Sequence, residues 1–316
     1  NPFLKIIKNY QIYKLNLSSK NYRININKDI KFTSEILKKI NNPILIIDSY
    51  SINYNWCIKM NKFSKKLILF NDFIKNKLFC DVLIDQTYGR KKKEYKDIVT
   101  HNTKLYTGHR YALIRKQFNF SINYSYNNNI LISLGGTDPK QKTLKIIKLI
   151  FNSFEKFKIF ILIDENSLQY KKIIQKYNNH IKLKKINILK QKYNISKIYK
   201  KFNLCIGSGG VSAIERCKIG LPSFVFKAAK NQADIVNNLR RNNLIKTWEN
   251  NKELLELLKK YNKNKSNLKL LNRNCLNSKI ATNTDKMIRS ILKLKLFFYQ
   301  VRTIGFILKL ISLLIN

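Results

Sequence analysis

Residues 203–226 read NLCIGSGGVSAIERCKIGLPSFVF. A short apolar run, NLCI, enters a turn that holds Gly207, Gly209 and Gly210 around Ser208. VSAIERCKI follows with helical spacing of its apolar positions. KIGLP is a stop signal: Gly220 can take the left-handed conformation that ends a helix, and Pro222 opens the next strand. PSFVF is apolar again. A strand, a tight turn, a helix and a second strand in so short a span describe a crossover between parallel strands. Three of the chain's nine glycines fall in this one turn.

The alternation continues outward in both directions. Upstream, NILISLGG is a strand into a second glycine turn, and TDPKQKTLKIIKLIFNSF is a helix with Asp138 before Pro139 at its start. FKIFILID and IKLKKINIL are strands, with helices ENSLQYKKIIQKY and ISKIYKKF between them and the opening turn. Downstream, NQADIVNNLRRNN is a helix. The first half has the same pattern: QIYKLNL, PILIIDSY, KKLILFND and CDVLIDQT as strands, DIKFTSEILKKI and NYNWCIKMNKF as helices. SINYSYNNN, 121–129, is polar and turn-rich and separates the halves. These features predict an α/β protein of two doubly wound, Rossmann-like domains facing a cleft, at 1–125 and 130–290. The tail at 291–316 is apolar but interrupted by Lys293, Lys295, Arg302 and Lys309. The uncharged stretch after Lys309 is far short of the roughly 20 residues a spanning helix needs. An amphipathic helix lying on a membrane surface or on the other domain is expected instead.

A net charge of +44 suggests a polyanion partner at first. Only ten of the 62 basic residues are arginines, and the lysines are scattered, often beside asparagine and isoleucine, with no glycine-arginine, serine-arginine or polybasic tail. Nucleic acid is therefore not an expected partner. The five cysteines, Cys57, Cys80, Cys205, Cys217 and Cys275, show no CxxC spacing, and His101, His109 and His180 form no ligand pattern. No metal or cofactor is expected, and dispersed thiols without a signal peptide point to a reduced, cytoplasmic setting.

Both glycine turns, Gly135-Gly136 and 207–210, follow strands and precede helices. There backbone N–H groups and a helix terminus can meet an anion, and Thr137 and Ser208 can add hydroxyls. Tightening of two βα turns would use the same glycines, but a pair in one domain favours a diphosphate. Neither turn matches GxGxxG or a P-loop, which argues against NAD and Walker-type ATP binding. Glu215 either gains from the helix N-terminus or accepts hydrogen bonds from a ribose. Asn231 and Gln232 suit sugar hydroxyls or phosphate, and Asn231 is equally an ordinary N-cap. Asp48, Asp72 and Asp85 close three strands of the first half beside Tyr50, Gln86 and Tyr88. Singly they read as loop caps, and together as a sugar-binding set.

ILISLGGTDPKQKTLKII, IGSGGVSAIERCKIGLPSFVF and KNQ, with IIDSYSINYNW, LFNDFIKNKLFCDVLIDQT and GHRYALIRKQF in the first half, resemble the UDP-2,4-diacetamido-2,4,6-trideoxy-β-L-altropyranose hydrolases of pseudaminic acid biosynthesis. The resemblance runs from Asn1 to about Arg289. The GSGG…E…GLP element alone is shared with the peptidoglycan N-acetylglucosaminyltransferase and other enzymes of the two-domain glycosyltransferase-B (GT-B) type. The resemblance implies a cytoplasmic enzyme that releases UDP from a UDP-activated diacetamido sugar by adding water. It places the diphosphate at Gly135, Gly136 and the 207–210 turn with Ser208, and the ribose at Glu215. Asn231 and Gln232 fall on the sugar side of the diphosphate, and Asp48, Tyr50, Asp72 and Gln86 face the sugar. Water activation needs a base. In the family that base is a histidine in a GxGH turn after the first strand, which this sequence does not contain. The chain therefore reads as a fragment lacking that strand and turn, and Asp72 is a weak substitute. A GT-B glycosyltransferase using a UDP-sugar donor, or a non-catalytic nucleotide-sugar-binding remnant, are the alternative readings.

Overall fold

The computed structural model describes residues 25–74, 76–135, 138, 140–154, 156–190, 195–229 and 232–292. The expected strand at 11–17 and the tail beyond 292 lie outside them. The chain divides into two compact units, one running to Arg115 and resuming at Ala281, the other spanning Lys116–Ile280.

In the first unit α1 (Ile26–Leu37) precedes β1 (Ile44–Asp48), α2 (Tyr54–Asn61), β2 (Lys66–Phe70), β3 (Val82–Asp85) and β4 (Lys104–Thr107). The strands form one parallel sheet in the order β1-β2-β3-β4. Its strands are apolar on both sides because both sides are covered. Leu45, Ile47, Leu67, Leu69 and Leu83 pack with Trp56 and Met60 of α2, while Ile44, Ile46, Ile68, Phe70, Val82 and Ile84 share the other core. β4 was not expected from the sequence: it has four residues, with Lys104 exposed and one side chain buried, and offers little apolar signal.

In the second unit the order is β5 (Asn129–Ser133), α3 (Thr143–Ser153), β6 (Lys158–Ile163), α4 (Leu168–Lys182), β7 (Ile186–Lys190), α5 (Ile195–Tyr199), β8 (Leu204–Ser208), α6 (Val211–Lys218), β9 (Ser223–Phe226), α7 (Ala233–Arg241), β10 (Lys246–Thr247), α8 (Asn251–Lys263) and α9 (Ser266–Asn277). All six strands are parallel, in the order β10-β9-β8-β5-β6-β7. From β5 the chain winds outward to β7 and then returns to β5's other side with β8. That reversal is a topological switch point, where parallel sheets leave a crevice outside their carboxyl ends. Gly135 and the 207–210 turn follow the two strands on either side of it.

The last of the described helices, α10 (Thr284–Leu292), differs from the expected division, which placed residues up to 290 in the second domain. Its Met287, Ile288 and Ile291 are buried with Ile44, Ile46 and Val82 of the first unit. The N–H groups of Ala281 and Asn283 donate to the carbonyls of His109 and Arg110, each at 2.9 Å. Burial of each large apolar side chain is worth about 1.5–3 kcal/mol, so the helix is held where its apolar stripe finds an uncovered sheet face.

Candidate functional site

The second unit's switch point is built by β5 and β8, paired so that Ser133 lies opposite Gly207. The glycines beyond them serve different purposes. Gly135 has φ +98°, and no atom lies within 4 Å of where a Cβ would sit. Gly210 has φ +80°, and its nearest such neighbour is Gln232 Nε2 at 3.7 Å. These two combine a backbone conformation suited to glycine with no close neighbour opposite the missing side chain. Gly207 and Gly209 are glycines for packing. A Cβ on Gly207 would meet Arg216 Nη2 at 2.8 Å, and one on Gly209 would meet Val236 Cγ2 at 2.5 Å. The Gly209 N–H is also committed to the Phe226 carbonyl at 3.1 Å. Sequence reasoning credited all of them to ligand approach, and packing demand is not visible in a lone glycine.

The helices at this edge are not equivalent. α3 begins at Thr143, later than the sequence suggested, and Asp138 (φ +43°) caps it. The Asp138 carboxylate accepts from the N–H groups of Lys142 at 3.2 Å and Thr143 at 2.8 Å. An incoming anion would have to displace it. α6 instead starts at Gly210 with no side-chain cap, so the N–H groups of its first turn carry the partial positive charge of the helix terminus toward the crevice. α7 starts at Gln232, also without a side-chain cap, and Gln232 Oε1 accepts from the Ala228 N–H at 3.0 Å. Gly136, Thr137 and Asn231 lie outside the described residues.

Glu215 is buried in α6, beyond the helix's first turn, which contains no acidic residue. The macrodipole acts mainly within that turn, so the purely local reason for a glutamate here is weak. Its neighbour Arg216 was not singled out from the sequence, where it is one basic residue among 62. It is wholly buried and donates from Nη2 to the Ser208 carbonyl at 2.7 Å and from Nε to Ser223 Oγ at 3.1 Å.

In the first unit the carboxyl edge of the parallel sheet gathers Asp48, Tyr50, Asp72, Asp85, Gln86 and His109. Tyr50 donates its hydroxyl to Asp72 Oδ1 at 2.7 Å. Burial raises the Asp72 carboxyl above the usual carboxylate range; the Tyr50 hydrogen bond opposes that shift and the nearby charge of Asp85 adds to it. Tyr50 and Phe73 expose 61% and 42% of their surfaces and meet edge to face, centroids 6.4 Å apart, so apolar ring area stands beside the carboxylate. That combination suits a sugar. Gln86 is buried, and its Oε1 accepts from the Leu113 N–H at 3.2 Å.

Asp85 departs from its expected place in the sugar-binding set. It is buried and accepts from the Thr87 N–H at 2.7 Å, Arg90 Nε at 2.6 Å and the Tyr95 hydroxyl at 2.9 Å. Arg90 also donates to the Asp72 carbonyl at 3.0 Å. Asp85 is thus a structural hub that holds the loops after β2 and β3 together. His109 stacks on Tyr88, centroids 4.0 Å apart, and its Nδ1 accepts from the Gly89 N–H at 3.4 Å. His109 lies within the stretch GHRYALIRKQF, but no role was assigned to it, because β4, which brings it to this edge, was not legible. Among the described residues no group of three or more His, Cys, Asp or Glu is arranged to hold a metal. The five cysteines are buried and free of disulfides, and burial pushes the Cys57 thiol up to about 12. No described helix is long and apolar enough to cross a membrane.

Parallel sheets, helical crossovers and a glycine-lined switch point define an α/β protein of Rossmann-like units of the GT-B type. Solved structures share that fold: MurG of Acinetobacter baumannii, at TM-score 0.62 and 14% identity over 93% of this chain and 87% of that one, and the UDP-GlcNAc 2-epimerase of Neisseria meningitidis, at TM-score 0.57 and 13% identity over 92% and 87%. No family model matches the chain. Among curated proteins it is 30% identical over 181 residues to the UDP-2,4-diacetamido-2,4,6-trideoxy-β-L-altropyranose hydrolase of Campylobacter jejuni, covering 55% of this chain and 60% of the relative. It is 25% identical over 177 residues to the spore coat polysaccharide biosynthesis protein SpsG of Bacillus subtilis, covering 53% and 50%. It is also 27% identical over 204 residues to an uncharacterized protein of Methanocaldococcus jannaschii, covering 61% and 42%. The chain spans about half the length of these curated relatives.

Proposed function

We propose that the protein acts on a UDP-activated sugar and releases UDP by adding water, with a 2,4-diacetamido-2,4,6-trideoxy sugar as the substrate class. The observation that carries this reading is the switch point of the second unit. There Gly135 and Gly210 leave open backbone next to the uncapped N-terminus of α6, an arrangement suited to a diphosphate. The similarity to the Campylobacter jejuni hydrolase supports the choice of water as acceptor and of the sugar.

In this reading the ribose hydroxyls donate to Glu215, and the diphosphate lies at the turn with Gly136, Thr137, Ser208, Asn231 and Gln232 around it. Asp48, Tyr50 and Gln86 contact the sugar. Hydrolysis forms a bond from the water oxygen to the anomeric carbon and breaks the bond to the diphosphate oxygen, which leaves with UDP. Charge developing on that oxygen is stabilised by preorganised N–H donors. The water's proton passes to a base. Asp72 is the candidate among the described residues, because burial raises its affinity for a proton.

Incubation of the full-length protein with the UDP-sugar, following free UDP and free sugar, tests the reading. Stoichiometric release of both without an acceptor supports it, and no release of UDP overturns it. Release that requires an added sugar acceptor would assign a glycosyltransferase instead.

A further inference from the structure

The guanidinium of Arg216 is enclosed in the second unit, beneath the turn that follows β8. Its exposure is 0%. Nε and Nη2 are satisfied by a hydroxyl and a carbonyl, those of Ser223 and Ser208. The Tyr199 hydroxyl is nearby, but Nη1 has no partner in hydrogen-bonding geometry. Among the described residues no carboxylate forms an ion pair with Arg216, and the salt bridges found involve Arg90. A buried charge without a counter-ion is costly in a low-dielectric interior. The fold nevertheless makes room for it: Gly207 lacks a side chain where Nη2 and Cζ would otherwise lie at 2.8 and 2.9 Å from a Cβ.

The direction of the side chain explains where compensation can come from. A helical side chain leans toward its helix's N-terminus, and Nη2 reaches back from α6 to Ser208, the last residue of β8. The cation, without an ion-pair partner among the described residues, therefore stands behind the turn that leads into the uncapped end of α6, where a Cβ on Gly210 would make only ordinary contact with Gln232. We propose that Arg216 is a positioning residue and buried counter-charge for a diphosphate bound at the 207–210 turn, acting from behind the backbone rather than by contact. The proposal deepens the nucleotide-sugar reading and rests on it. It also differs from a role for surface lysines, because a buried charge is weakly screened by salt.

The test is titration calorimetry of the full chain with UDP and with uridine, on wild type, Arg216→Gln and Arg216→Lys, each checked for native circular dichroism. Gln keeps hydrogen-bond donors without charge, and Lys keeps the charge without the fork. Arg216→Gln is expected to lower the preference for UDP over uridine about tenfold, to the same extent at low and at high salt, while Arg216→Lys retains most of it. An unchanged preference in Arg216→Gln, or equal losses in both variants, would overturn the proposal. If Arg216→Gln does not fold, inorganic pyrophosphate competing with UDP on the wild type provides the second measurement. Failure of pyrophosphate to displace UDP would overturn the proposal as well. Failure of the wild type to bind UDP at all would instead sink the nucleotide-sugar reading.

Discussion

Gly207 and Arg216 fit one another face to face: a methyl group on the glycine would stand 2.8 Å from Nη2 and 2.9 Å from Cζ of the arginine. A flexible side chain could swing away from such an intrusion. This one is wholly buried and tied to Ser208 and Ser223. Gly207→Ala should therefore cost about 1–3 kcal/mol by overpacking. Gly135→Ala meets no neighbour, so its cost should come from backbone strain alone, of order 1–3 kcal/mol. The two separate on repacking: shortening the arginine with Arg216→Ala in the same chain should relieve the added methyl at Gly207 and leave the Gly135→Ala penalty unchanged. Urea unfolding of single and double variants measures both.

Glu215→Ala should weaken UDP binding about tenfold or more, since a hydrogen bond to a charged group is worth about 1.5–3 kcal/mol. The more specific expectation concerns the ribose. Wild type should prefer UDP over 2′-deoxy-UDP, and Glu215→Ala should bind the two alike. Equal binding of both by the wild type would move Glu215 out of the ribose site.

The Asp72 carboxyl is raised by burial, opposed by the Tyr50 hydrogen bond. A base works only when deprotonated, so activity should fall as pH drops through the Asp72 pKa, at a pH above the ordinary carboxylate value. Tyr50→Phe removes an interaction that lowers this pKa and should shift the acid limb to higher pH. Asp72→Asn should reduce kcat about 10²–10⁴-fold and abolish that limb. A pH–rate profile of the three proteins decides, and an acid limb that persists in Asp72→Asn would assign the base elsewhere.

Asp85 and Arg90 form a buried pair at 2.6 Å, side chains 0% and 7% exposed. Arg90→Met leaves a buried carboxylate with the Tyr95 hydroxyl and the Thr87 N–H but without its cation. A loss of about 3–5 kcal/mol is expected. Adding Asp85→Asn should recover part of it, because the uncompensated charge goes too. Equilibrium unfolding of single and double variants measures the recovery.

The strand–turn–helix grammar of residues 203–226, the apolar runs ending in Asp48 and Asp85, and the stop at Gly220 were enough for an α/β fold of parallel sheets. Each rests on local chemistry: hydrophobic period, glycine at a turn, proline after a helix. Tertiary contacts decided what those signals could not carry. α10 joins the first unit because a sheet face there needs cover. β4 exists because β3 offers it hydrogen-bond partners, although its own four residues show little pattern. Asp85 is drawn into an ion pair by Arg90, while Asp72, just past the neighbouring strand, accepts from the Tyr50 hydroxyl. Among the glycines, sequence determined where the chain must turn. Packing across β8, α6 and α7 determined which of them make room for protein atoms, Gly207 and Gly209, and which meet nothing or only ordinary contact, Gly135 and Gly210. A glycine's demand comes from what lies opposite its missing side chain, and that is known only once the chain has folded.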